Sequence, residues 1–142
     1  MERFFQNETG KETVILVAVD LGDGTNVQVS LDELEELSQT AGAETVGRMV
    51  QNREGVHPGT YIGKGKIEEL RDLIWVTGAD TVICDDELSP AQLGNLQEEL
   101  QCKVIDRTVL ILDIFAAHAS TSEGKLQVEL AQLRYRSSRL TG

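Results

Sequence analysis

The sequence predicts an α/β fold, a small open four-stranded parallel sheet flanked by helices, followed by a long helical, coiled-coil-like arm. Three observations predict it. Short β-branched apolar runs alternate with amphipathic segments up to Asp106, and such alternation implies parallel strands joined by helical crossovers. Beyond Asp106 no proline and no strand pattern occurs, and apolar residues recur at spacings of four and three, the mark of a helix packing along a seam. The balance of charge changes sign at the same place. These divide the 142 residues into an acidic body, residues 1–106, and an arm, residues 107–142.

Thr13 to Asp20, TVILVAVD, reads as a buried strand, apolar and β-branched until its end. Leu21 to Gly24 forms a turn. Ser30 starts a helix, with Glu33 three residues on completing a capping box, and Leu31, Leu34 and Leu37 as its apolar stripe. Gly42 stops it. Glu44 to Asn52 is a second strand and Gly55 to Pro58 a loop. Tyr61 to Gly65 leads into a helix carrying Ile67, Leu70, Leu73 and Ile74, ended by Gly78. Ala79 to Asp85 is a third strand. Ser89 and Pro90 are an N-cap and a first helical residue, and Leu93, Leu96 and Leu100 form that helix's apolar face. Lys103 to Ile105 is a fourth strand. The crossovers suggest the strand order 2-1-3-4.

In the arm the seam runs through Leu112, Ala116, Ala119, Glu123, Leu126, Leu130, Leu133, Ser137 and Leu140. Ser120 to Gly124 are weak helix formers, so a break is expected there. A seam apolar as far as Leu140 needs a partner helix, which points to a fragment of a longer protein. Packing on the body's sheet and dimerisation are the alternatives.

The net charge of −11 excludes a uniformly basic nucleic-acid domain. Residues 1–106 hold 8 Lys and Arg against 21 Asp and Glu, a net of −13; residues 107–142 hold 5 against 3, a net of +2. No stretch approaches the ~18 apolar residues of a membrane span, and the N-terminus lacks a signal-peptide pattern, so a cytoplasmic location is expected. Cys84 and Cys102 form no CxxC pair and are not grouped with His57 or His118. They read as reduced thiols rather than metal ligands.

Three groups could carry chemistry. Gly63-Lys64-Gly65-Lys66 lies at a helix start, where backbone N–H groups and two lysines suit an anion. It is not the phosphate loop GxxxxGK[ST]: position 60 is Thr, and Ile67 follows the last lysine. Asp85, Asp86 and Glu87 follow the third strand, at the end where open sheets bind ligands; an Asp there could hold Mg²⁺ or a ribose, or the three acids form a solvated loop. Lys125, Arg134, Arg136 and Arg139, with Tyr135, could meet phosphates; they also suit the exterior of a coiled coil.

YIGKGKIEEL (61–70), DELSPAQ (86–92), VIDRT (104–108), LILDIFA (110–116) and above all EGKLQVELAQL (123–133) resemble, in order and spacing, the N-terminal region of the HflX family of ribosome-associated GTPases. The resemblance covers residues 13–142. It implies an α/β body followed by a helical hairpin whose glycine-rich tip, together with a C-terminal Ras-like GTPase domain, lies beyond this sequence. GTP and Mg²⁺ would belong to that absent domain, so no catalytic residue and no GTP site is carried over, and no metal or cofactor is assigned to this part. The implied partners are the large (50S) ribosomal subunit with its rRNA and the chain's own GTPase domain. The implied role is ribosome splitting or rescue, or translation under stress. Lys125, Arg134, Arg136 and Arg139 are the rRNA candidates. A second, ATP-binding site is suspected in some members, for which Gly63 to Lys66 have the suitable chemistry.

Two other functions compete. One is an ATP-binding α/β sensor domain working through the strand ends near Asp85 and the glycine-rich helix start. The other is an oligomerisation element using the seam of Leu126, Leu130, Leu133 and Leu140, by which the truncated arm would self-associate.

Overall fold

The computed structural model describes residues 11–118. The elements follow as β1 (Glu12–Asp20), α1 (Val27–Thr40), β2 (Ala43–Asn52), α2 (Lys64–Thr77), β3 (Thr81–Cys84), α3 (Pro90–Leu100), β4 (Lys103–Asp106) and α4 (Arg107–His118). The four strands are parallel, in the order β2-β1-β3-β4, as the crossovers suggest. The sequence pattern thus gives the layers and the strand order of the body.

β1 is central, and Val14 to Val19 are buried without interruption because both faces of the sheet are covered. Ile15, Val17 and Val19 pack with Ile67 and Leu70 of α2 and Leu96 and Leu100 of α3. Val14, Leu16 and Ala18 pack with Leu31 and Leu34 of α1 and Leu110 and Ile114 of α4. One strand therefore feeds two cores by its two-residue alternation. Burial of each Leu or Ile side chain contributes roughly 1.5–3 kcal/mol.

β1 and β2 shift register between Val14 and Ile15: Val14 pairs with Thr45 but Ile15 with Gly47. Val46 is the inserted residue of a β-bulge. At Gly47 a Cβ would come 3.2 Å from Leu73 Cδ2, so the missing side chain lets α2 lie close on β2.

α1 starts earlier than its sequence pattern suggests. Its N-cap is Asn26, whose Oδ1 accepts from Val29 N–H at 3.1 Å, and Ser30 lies inside the helix. The expected Ser30–Glu33 capping box is absent because both side chains are used in tertiary contacts. Leu31 and Leu34 are the buried stripe, with Leu37 packed against it. α2 ends as expected, on Gly78 in the left-handed conformation (φ 69°). α3 has the expected Ser89 cap and Pro90, completed by Gln92.

The seam from Leu112 is corrected where it can be seen. On α4 the buried side chains are Leu110, Asp113 and Ile114, whereas Leu112 and Ala116 are half-buried. Leu110 and Ile114 face the sheet, so the start of α4 follows the body's core rather than a heptad seam. Leu126, Leu130, Leu133 and Leu140 lie outside the described residues, as does the long helical arm.

Candidate functional site

The strand order reverses between β1 and β3, and the crevice beyond their C-terminal ends is where open α/β sheets bind ligands. Here the chain's own side chains occupy both flanks of that crevice.

On one flank stands Tyr61, almost fully buried in the same core as Val19 and Cys84. Its hydroxyl donates to Asp86 Oδ2 at 2.5 Å. Burial first, then the Asp86 carboxylate, push the phenol well above its ordinary range. Its backbone is left-handed, φ 70°, which costs a non-glycine residue about 1–2 kcal/mol. The surrounding loop holds it there. Tyr61 N–H donates to His57 O at 2.8 Å, and His57 N–H to Tyr61 O at 3.0 Å. His57 Nδ1 accepts from Gly59 N–H at 3.0 Å and Thr60 N–H at 3.2 Å, so its proton sits on Nε2 in this arrangement. Gln92 Nε2 and Asn95 Nδ2 of α3 donate to His57 O and Gly59 O. The sequence pattern places a loop at Gly55 to Pro58 but does not show the left-handed Tyr61 or its bond to Asp86. The one available signal was the turn-forming Pro58-Gly59 directly before an aromatic residue.

On the other flank, Ser30 Oγ of α1 donates to Asp85 Oδ2 at 2.5 Å. Arg107 Nη1 donates to Asp85 Oδ1 at 2.8 Å and to Ser30 Oγ at 3.2 Å. Arg107 Nη2 reaches Glu33 at 3.0 Å. Asp106 accepts from Leu88 N–H at 2.9 Å and Val109 N–H at 3.0 Å. The acidic trio therefore divides: Asp85 and Asp86 are each engaged in structural bonds and Glu87 is exposed. Among the described residues no group of three His, Cys, Asp or Glu could hold a metal ion.

Gly63 to Lys66 do form the start of α2. Gly63 is the N-cap, and its N–H donates to Gln51 Oε1 at 2.8 Å. A Cβ on Gly63 would lie 2.9 Å from Arg53 Nη1, so a guanidinium stands beside this helix start, which sequence spacing did not reveal. Lys64 is exposed. Lys66 pairs with Glu69 at 2.9 Å. Gly65 has nothing around its Cβ position.

Elsewhere in the body, cations meet carboxylates: Arg48 meets Asp32 and Glu35, Arg71 meets Glu99, and Lys103 meets Glu12. Both thiols are free. Burial, then Asp106, raises Cys84 above its usual range; burial, then Asp80, raises Cys102. No described helix is long and apolar enough to cross a membrane. Lys125, Arg134, Arg136 and Arg139 lie outside the described residues.

Two family models match the chain in succession: GTP-binding GTPase N-terminal over residues 28–116, and GTP-binding GTPase Middle Region over residues 118–142. A GTPase HflX of Lacrimispora saccharolytica is 64% identical over 93% of this chain and 31% of its own length. A GTPase HflX of Escherichia coli is 43% identical over 96% of this chain and 32% of its own. The chain thus spans about a third of these relatives. Among solved structures, a GTP-binding protein from the archaeon Sulfolobus solfataricus in complex with GDP is 25% identical, with a TM-score of 0.63, over 87% of this chain and 36% of that one. A variant of SsGBP, 24% identical with a TM-score of 0.71 over 92% of this chain and 40% of that one, shares the fold.

Proposed function

We propose a function from one premise, that this chain belongs to the GTP-binding GTPase N-terminal family as part of an HflX protein: it is the non-catalytic, ribosome-binding module of a GTPase. GTP and Mg²⁺ are held by a GTPase domain of the parent protein. This module meets the rRNA of the large subunit through Lys125, Arg134, Arg136 and Arg139, and serves ribosome splitting or rescue under stress in the cytoplasm.

The observation that carries this reading is the contrast of charge between two adjoining parts. The body carries a net of −13, and its Arg48, Lys66, Arg71 and Lys103 are each paired with its own carboxylates. Such a surface is repelled by RNA. The net-positive stretch from residue 107 is then the RNA-facing part, and the acidic body sets its orientation.

Co-sedimentation of the full-length parent with large subunits over a salt series tests it. Affinity should fall steeply with salt, and replacing Arg134, Arg136 and Arg139 with Ala should weaken binding and flatten the slope by on the order of one unit per lost phosphate contact. Indifference to salt, or unchanged affinity in the triple variant, would overturn it.

A second reading, an ATP site at Gly63 to Lys66, is favoured by the guanidinium of Arg53 beside that helix start. It is opposed by the commitment of Gly63 N–H to Gln51 and of Lys66 to Glu69. ATP titration of the chain and of a Lys64→Ala, Lys66→Ala variant decides it. Saturable binding abolished by the substitutions supports the site; no binding, or the same binding in both, removes it.

A further inference from the structure

The last turn of α2 presents two consecutive apolar side chains to solvent: Trp75 is 88% exposed and Val76 79%. Val76 continues into a groove between α2 and the outer strand β2, floored by Met49, Val50 and Leu73 and rimmed by Glu69 and Asp72. Gly47 shapes the groove by letting Leu73 settle against the strand. The groove's two cations are already neutralised, Arg48 by Asp32 and Glu35, and Lys66 by Glu69. Asp72, one turn before Trp75, and Glu68, two turns before it, are exposed. An apolar strip with an acidic margin is the result.

We propose that this strip is the docking site of a basic protein segment, one that seats an aliphatic or aromatic anchor against Trp75 and Val76 while its Lys or Arg side chains meet Glu68 and Asp72. The charge selects the occupant. Nucleic acid and anionic lipid are repelled by the same carboxylates, and a second copy would bring an equally acidic body against this one. The apolar pair supplies contact area and the acids supply orientation, the usual division of labour at a protein interface. This proposal is independent of the rRNA reading, which concerns Lys125, Arg134, Arg136 and Arg139.

Trp75 is the single tryptophan of the sequence, so its emission reports the site directly. The 142-residue chain is titrated with a synthetic amphipathic helix bearing leucine on one face and lysine on the other. A saturable blue shift is expected. Asp72→Lys and Val76→Lys should each weaken it about tenfold, whereas Glu36→Lys, on the helix across the sheet, should leave it unchanged. The leucine–glutamate version of the peptide should give no shift. Absence of a shift overturns the proposal, as does equal weakening by Glu36→Lys, which would mean unspecific attraction. A blue emission of the chain alone also overturns it: if concentration-dependent, the occupant is a second copy, and if concentration-independent, it is a segment of the same chain.

Discussion

Arg107 Nη1 lies 2.8 Å from Asp85 Oδ1, joining the first residue of α4 to the residue that follows β3. The Asp85 side chain is only 8% exposed and that of Arg107 25%. The guanidinium fork also spans Ser30 and Glu33, so one residue ties α1, β3 and α4 together. Removing one member of a mostly buried pair leaves the other charge without compensation. Arg107→Ala should destabilise the chain by about 2–3 kcal/mol in urea unfolding. Arg107→Lys should recover only part of this, because an ammonium lacks the planar fork.

Alkaline pH should weaken the fold chiefly through two groups, with Cys102, also raised by burial, adding to the thiol part. Tyr61 and Cys84 both have native values raised by burial, so the native state keeps protons that the unfolded chain releases. Their contribution is fully present below the unfolded values, ~8.5 for the thiol and ~10 for the phenol. It declines above them, by about 1.4 kcal/mol per pH unit for each group once both titrate. Urea midpoints should fall from pH ~8.5 and more steeply above pH ~10. Cys84→Ala should remove most of the earlier onset and Cys84→Ala with Cys102→Ala all of it, and Tyr61→Phe should remove the later one. A thiol reagent should label Cys102, which is half-buried, well before Cys84.

The helix starts give a paired test. Asn26→Ala should cost about 1 kcal/mol as the loss of an N-cap. Ser30→Ala should cost a similar amount for a different reason, the loss of a partner to Asp85. Only the second effect should shrink in an Arg107→Ala background, since Ser30 and Arg107 share that carboxylate. Thermal unfolding of the single and double variants checks this.

Two glycines of α2 should respond in opposite directions. Gly78→Ala forces a left-handed residue, φ 69°, to carry a Cβ and should cost about 1 kcal/mol. Gly65→Ala meets open space within the helix and should stabilise by about 0.5–1 kcal/mol. Unfolding midpoints of the two variants measure both. If Gly65→Ala stabilises the chain and also abolishes ATP binding, that glycine serves a ligand and not the fold.

How far the sequence could be read depended on range. The β-branched runs around Val14 and Val82 reported their own burial, and Ser89-Pro90 and Gly78 are local signals that act within one helical turn. Ser30 carried the same local signal and lost it to Asp85, 55 residues away, which leaves Asn26 to cap the helix. At the sheet's C-terminal edge the residues were visible but their commitments were not. Asp86 looks like a solvated acid until Tyr61 is brought to it by a backbone conformation that tyrosine rarely adopts. Arg53 stands near Gly63 only because β2 and α2 meet at that edge. Leu112 shows the converse error. A spacing of four and three continues through α4, but Leu110 and Ile114 face the sheet because β4 runs directly into the helix.

The inserted residue Val46 has a bearing on how this protein behaves when crowded. β2 borders the sheet with ten residues and, among the described residues, is paired on one side only, a template on which further chains could stack into fibrils. The register shift at Val46 breaks the regular run such stacking requires, and the other border, β4, is four residues long. Deleting Val46 would straighten the outer strand into an uninterrupted adhesive margin. At this margin a single inserted residue then adds to the protection against fibril growth.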